Sequence, residues 1–265
     1  MNLPMNQIIC GDCLEVMREL PDKCIDLVLT DLPYGQTSCS WDKRIDTIKL
    51  WEVFNRIIKD NGVIVLTAIQ PFATELIQNN LANFKYDLIW NKGNTSGFLD
   101  AKLKPLRKHE IVLIFSKSTN GNYTYNPLMR KGIMRAKGNN MSYKTDTVYG
   151  KKHPVKTIND TYYPTSILDF GTVYRNDYEH PTQKPIELSM WLVKTYSNVN
   201  ELVLDCCCGS GSFCVAAKML GRRYIGIDIS EDYCKIARER LEAVDTGVPV
   251  KEQRKGQLPL FAGDK

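Results

Sequence analysis

Apolar runs alternate with amphipathic stretches along most of the chain, the arrangement expected of βαβ units whose parallel strands are buried on both faces. Ile25 to Thr30 reads as one such strand, and a helix from Thr47 to Lys59 follows it, closed by Asn61-Gly62. Val63 to Thr67 is the next strand, and Pro71 opens a helix that runs to about Leu81. Tyr86–Trp90 and Ile111–Phe115 read as further strands on either side of a polar loop, Asn91 to Lys108. Beyond Ser118 the periodicity dissolves as far as Asn176. A long, weakly periodic stretch inside a compact fold marks a functional insertion. Order returns with a helix from Lys184 to Tyr196, a strand Leu202–Leu204, a helix Ser212–Leu220, a strand Tyr224–Asp228 and a helix Glu231–Ala243. The pattern divides the chain into a first half (1–117), an insertion (118–176), a second half of the same α/β domain (177–244) and a polar tail (245–265) expected to be flexible.

Charge changes this picture at one place. The net charge of +5 is modest, yet Lys117 to Lys156 holds nine basic residues and one acid, Asp146, an excess greater than that of the whole chain. So one-sided a segment suits a polyanion. Nine cysteines do not make a disulfide framework here: three are consecutive, the number is odd, and the N-terminus Met1-Asn2-Leu3-Pro4 lacks a signal-peptide pattern, so a reducing cytoplasm is expected. No apolar run approaches membrane-spanning length, so no membrane partner is expected. Cys10-Gly11-Asp12-Cys13 has the spacing of half a zinc site, but no second pair accompanies it, and no metal is expected.

Two short motifs carry the chemistry. Leu204-Asp205-Cys206-Cys207-Cys208-Gly209-Ser210-Gly211 closes a strand and opens a helix, with glycines where the backbone must pass close to a ligand. Asp228 ends the following strand, where a carboxylate can accept both hydroxyls of a ribose. Cys214 occupies the third glycine position of a dinucleotide fingerprint, which weakens an NAD reading; S-adenosylmethionine, with a ribose and no phosphate, fits better. Upstream, Asp31-Leu32-Pro33-Tyr34 ends an apolar strand with a carboxylate, a free carbonyl, a stiffened turn and an aromatic ring. An exocyclic amino group on a base is a poor nucleophile. Accepting hydrogen bonds from its two N–H groups frees the lone pair, while the ring can stack on an extruded base.

In motif order the chain resembles the β group of amino DNA methyltransferases, the site-specific N6-adenine and N4-cytosine enzymes. Gly11-Asp12 and Asp26–Asp31 match the approach to the catalytic turn, His180-Pro-Thr-Gln-Lys184-Pro185 a signature ahead of the cofactor strand, and Arg222–Asp228 with Tyr233 and Ala237 the close, over roughly residues 6–243. The resemblance implies a Rossmann-like, seven-stranded α/β methyltransferase fold with one antiparallel strand, circularly permuted motif order and a DNA-recognition insertion. It implies catalysis by Asp31, Leu32, Pro33 and Tyr34. It implies S-adenosylmethionine held by Asp12, Asp31, His180, Thr182, Lys184, Asp205, Cys206, Gly209, Gly211 and Asp228, with Lys184 neutralising the carboxylate of its methionine part. Two departures stand out: Leu32 replaces a proline, where only the backbone carbonyl is needed, and Cys207 replaces a phenylalanine.

The expected partner is double-stranded DNA, with Lys102, Lys104, Arg107, Arg130, Lys131, Arg135, Lys137, Lys151 and Lys152 as contacts and Asn139 and Asn140 as possible base readers. Gly35 to Arg44, with Trp41, is a candidate loop closing on DNA. Gln257-Leu-Pro-Leu-Phe261 resembles a peptide that docks on the bacterial sliding clamp. Adenine N6 is the preferred target. Cytosine N4, a non-catalytic DNA-binding protein with a relic pocket, and an NAD-dependent oxidoreductase stay open, as do monomer against homodimer and the presence of a companion restriction enzyme.

Overall fold

The computed structural model describes residues 3–35, 44–137, 146–147, 150–151, 157–173, 183–247 and 250. By internal contacts the chain forms two units, residues 1–126 with 166–265, and residues 127–165.

The larger unit is built on an eight-stranded sheet. Its strands are β1 (Gln7–Cys10), β2 (Ile25–Asp31), β3 (Ile58–Ala68), β4 (Phe84–Ser96), β5 (Arg107–Phe115), β10 (Ile167–Asp169), β11 (Leu202–Asp205) and β12 (Arg223–Asp228), in the spatial order β1-β12-β11-β2-β3-β5-β4-β10. Among the described strands of this sheet only β5 runs antiparallel to its neighbours, β3 and β4. Seven strands were expected from resemblance; the eighth, β10, is three residues long and pairs with β4 as Ile167↔Ile89 to Asp169↔Asn91.

Both sheet faces are covered, which is why the central strands read as unbroken apolar runs. Leu27, Leu29, Val63, Val65 and Val203 pack with α4 (Ile186–Tyr196), α5 (Ser212–Met219) and α6 (Glu231–Thr246) on one face. Val28, Ile64, Leu66, Leu113 and Leu204 pack with α1 (Cys13–Arg18), α2 (Thr47–Ile57) and α3 (Phe72–Gln78) on the other. The pair β1 and α1 was not foreseen. β1 has only four residues, and α1 is set by its N-cap, Asp12, whose carboxylate accepts from the Leu14 and Glu15 N–H groups. The polar segment expected as a loop at 91–108 is strand at both ends, since β4 runs on to Ser96 and β5 starts at Arg107, with Ser96 opposite Arg107, and residues 97–106 connect them. Among the described residues no helix is long and apolar enough to cross a membrane.

The smaller unit holds two antiparallel pairs: β6 (Arg130–Lys137) with β9 (Thr157–Tyr162), and β7 (Asp146–Thr147) with β8 (Gly150–Lys151). It lies inside the stretch that the sequence marks as an insertion.

Buried Asp26 ties the two strands that carry the chemistry. One of its oxygens accepts the Leu202 N–H of β11 at 2.9 Å and the other the Lys59 ammonium at 2.5 Å. Asp26→Ala leaves both donors without this acceptor and should lower stability by about 1–3 kcal/mol, whereas Asp26→Asn keeps an acceptor for Leu202 and should cost less. Denaturant midpoints of the two variants check this.

Candidate active site

The sheet order reverses between β11 and β2: the chain passes from β11 to β12 on one side and from β2 to β3 on the other. A crevice forms outside the carboxyl ends of strands at such a point. It holds a cavity of about 450 Å³ lined by Gly11, Asp12, Asp31 to Tyr34, Lys184, Asp205 to Ser210 and Asp228, among others.

Asp31 ends β2, and each of its oxygens is occupied. Oδ1 accepts the Tyr34 hydroxyl at 2.6 Å and also the Thr67 hydroxyl from the end of β3; Oδ2 accepts the Lys184 ammonium at 2.6 Å. Lys184, 7% exposed, also faces Glu110 at 3.2 Å, and Glu110 is paired with Lys92 at 3.1 Å. Lys92, Glu110, Lys184 and Asp31 therefore form a row of alternating charges that sums to zero. The indole of Trp90 lies 5.7 Å from the Lys184 ammonium and adds a cation–π contact. Burial alone would lower the Lys184 pKa, but the carboxylates of Asp31 and Glu110 hold it above its ordinary value. Burial would raise Glu110, and Lys184 with Lys92 bring it below the usual carboxylate value. Burial, reinforced by the charges of Asp31 and Glu110, pushes the Tyr34 hydroxyl well up, so it stays a donor.

Glu110 and Lys92 were not foreseen as site residues. Lys92 falls within the segment expected as a polar loop, and Glu110 is a single acid at the edge of an apolar strand. Nothing but the β4–β5 pairing, in which Trp90 faces Glu110, brings them to the site.

On the cavity's other side, both Asp228 oxygens are oriented by backbone donors, Gly209 N–H at 2.7 Å and Ser230 N–H at 2.9 Å. A carboxylate has about four acceptor positions, so two remain for hydroxyl groups. Burial raises its pKa. Gly209 takes φ +49° in the turn that presents this N–H. Gly211 instead caps α5, and a Cβ there would stand 2.9 Å from the Ala237 Cβ, so its smallness serves helix packing. Asp12, Asp205 and Cys206 line the cavity beside Cys13 and Cys207. The Leu32 side chain, 3% exposed, is sunk in the α1–α3 core, which leaves its backbone to face the cavity. The mixture of oriented carboxylates, one buried cation and close backbone fits a zwitterionic nucleoside such as S-adenosylmethionine.

Of the expected DNA contacts, Lys102 and Lys104 are exposed between β4 and β5, with Lys104 paired to Asp100 at 2.8 Å, and Arg107 is exposed at the start of β5. Arg130 and Lys131 are exposed on β6. Arg135 and Lys137 lie on β6 and Lys151 on β8, with side chains outside the described structure. His180, Thr182, Lys152, Asn139, Asn140, Trp41 and Gln257 to Phe261 also lie outside it.

Asp205 is 1% exposed, and burial raises its pKa to about 8. Its carboxyl keeps a proton in the folded protein that the unfolded chain releases near the ordinary aspartate value of 3.8. The unfolded state binds fewer protons through that interval, so stability falls as pH rises from about 4 to about 8. Asp205→Asn should flatten the decline, and denaturant midpoints at about pH 5 and about pH 8 would show the variant gaining on the wild type at the higher pH.

A sequence profile described as DNA methylase matches residues 25–239. Curated relatives include the type II methyltransferase M.HinfI of Haemophilus influenzae, 28% identical over 91% of this chain and 69% of that protein. Another is the DNA adenine methyltransferase YhdJ of Escherichia coli K12, 29% identical over 95% of this chain and 89% of that protein. Similar solved structures include the M1.HpyAVI–SAM complex, with TM-score 0.61, 21% identity and coverage of 89% of this chain and 98% of that one. The cytosine-N4-specific PvuII DNA methyltransferase superposes with TM-score 0.64, 15% identity and coverage of 95% and 93%. With the profile spanning most of its length and the fold shared, the chain belongs to the DNA methylase family of N6/N4 amino-methyltransferases.

Proposed function

We propose that the protein transfers a methyl group from S-adenosylmethionine to the N6 amino group of adenine within a specific double-stranded DNA sequence, after extruding the base. One observation carries this reading: the Asp31–Tyr34 turn and the carboxylate of Asp228 line the same cavity at the carboxyl edge of the sheet. When bound, S-adenosylmethionine supplies an electrophilic methyl on a sulfonium. The remaining work falls to the chain's own groups. Asp228 accepts the ribose hydroxyls. Asp31 Oδ2 and the Leu32 carbonyl accept the two amino hydrogens of the target base, which concentrates its lone pair on nitrogen. The Tyr34 ring, beside Phe72 at 5.9 Å, offers a stacking face while its hydroxyl keeps Asp31 oriented. No strong general base is needed, because positioning supplies the rate and the methylated amino cation sheds its proton readily.

Glu110 gives the row of charges its use. A base whose amino group takes Asp31 Oδ2 displaces Lys184 from it, and Glu110 keeps the displaced ammonium paired, avoiding a buried lone charge. It also leaves Lys184 available to the carboxylate of the methyl donor.

Asp31 at the head of the motif and a relative named as an adenine methyltransferase support adenine; cytosine N4 is the alternative. For DNA contact, the segment joining β4 to β5 carries Lys102, Lys104 and Arg107 next to Phe98, Leu99 and Leu103, which are 81%, 99% and 86% exposed. Basic groups beside bare apolar side chains suit phosphate contact with insertion at an unstacked step. The stretch 127–165, which carries Arg130, Lys131, Arg135, Lys137, Lys151 and Lys152 in its sequence, is the proposed reader of sequence. Gln257 to Phe261 is the proposed clamp-docking peptide.

Transfer of labelled methyl to mixed-sequence duplex DNA, with nucleoside analysis, tests the reading. N6-methyladenine is expected from the wild type, reduced at least about a hundredfold in Asp31→Ala. N4-methylcytosine would replace adenine as the target, and tight DNA binding without transfer by the wild type would overturn the enzymatic reading. The double variant Phe98→Ser, Leu99→Ser should weaken duplex binding about tenfold while leaving S-adenosylmethionine binding unchanged; equal duplex affinity would remove the segment from the DNA interface.

A further inference from the structure

Cysteine spacing pairs Cys10 with Cys13, but the fold separates them into different clusters. The Cys10 sulfur faces the Ile229 carbonyl at 3.7 Å and groups with exposed Glu231 and buried Cys234. Cys13, at the start of α1, instead meets Cys206 and Cys207 from the turn after β11, and the three sulfurs all lie within 4.8 Å of one another. All three line the cavity of the proposed methyl-donor site.

We propose that Cys13, Cys206 and Cys207 form a three-thiolate site for a soft d10 cation of the Zn²⁺ or Cd²⁺ class, and that its occupation closes the cavity. A cation held by three sulfurs at about 2.3 Å needs them roughly 3.8–4.0 Å apart, a separation within the 4.8 Å that spans the three. The thiols sit on two segments fixed independently of any metal: the Asp12 cap sets the first turn of α1, and β11 delivers the Cys206–Cys207 pair between β2 and β12. The cavity leaves the fourth position to solvent, as in sites that exchange their metal. Each thiol that coordinates gives its proton to solvent, so binding strengthens with pH. Cys214, by contrast, packs into the α4–α6 core and serves as a small apolar residue. The phenylalanine expected at position 207 from resemblance could supply no third sulfur. The metal site itself stands without the methyltransferase reading; only its competition with the methyl donor rests on it.

The test is titration of the full-length, phosphine-reduced protein with Cd²⁺, followed by the ultraviolet thiolate-to-cadmium band. One equivalent should give the intensity of three thiolates. Cys13→Ser and Cys207→Ser should each lose one third of it and bind at least about tenfold more weakly, with Cys10→Ser unchanged. In the wild type, Cd²⁺ should protect Cys13, Cys206 and Cys207 from alkylation as mapped by mass spectrometry, a readout that needs no variant to fold. Saturating S-adenosylmethionine should raise the Cd²⁺ needed for half-occupancy. A band lost only in Cys10→Ser, or alkylation of Cys13 undiminished by Cd²⁺, would overturn the site. Cd²⁺ and S-adenosylmethionine binding together without mutual effect would overturn the closing of the cavity and leave the site.

Discussion

The ion pair between Lys184 and Asp31 is the constraint around which the site is arranged. It joins two groups 153 residues apart, inside a crevice where an unpaired charge is costly. Removing one partner of such a pair typically costs about 3–5 kcal/mol, while the intact pair adds little net stability. The value of this pair lies in what it fixes: the direction of the Asp31 carboxylate, with Tyr34 and Thr67 on one oxygen and Lys184 on the other. Glu110 and Lys92 extend the row so that neither end is an uncompensated charge.

The neighbouring acids behave differently because their surroundings differ. Asp228 is met by two backbone N–H groups and stands ready to receive hydroxyls, whereas Asp205 lies so deep at the end of β11 that its proton is retained near neutrality. Asp31, Asp228 and Asp205 thus divide into an ion-paired acceptor, a hydrogen-bonded acceptor and a mostly neutral carboxyl, which avoids three further like charges side by side in a low-dielectric space.

The central strands were legible because burial on both faces leaves unbroken apolar runs, as in Ile25–Thr30 and Val63–Thr67. Asp31, Asp205 and Asp228 were legible because each ends such a run before a turn. What escaped was set by pairing across distance. Asn91 to Ser96 is polar on both sides, so neither alternation nor an apolar run marks it as strand. β1 is too short for a periodic signal, and Ile8 and Ile9 acquire meaning only beside Gly226 and Ile227. Glu110 and Lys92 lie beyond sequence reasoning for the same cause, since their role depends on where β5 carries them. Cys13 looked like the partner of Cys10, and only the crossing of α1 with the turn after β11 gives it Cys206 and Cys207.

The strand order also governs how such a chain is assembled. Among the described residues β1 pairs only with β12, more than two hundred residues later, and β11 enters between β12 and β2. A ribosome making this protein releases β1 with no partner and β2 with one open edge, and these wait for β12 and β11, both in the last quarter of the sequence. The first half holds the Asp31 turn but cannot close its crevice alone. Folding of the sheet therefore waits for β11 and β12, and the interval is one in which chaperones and competing strand edges have access to the chain.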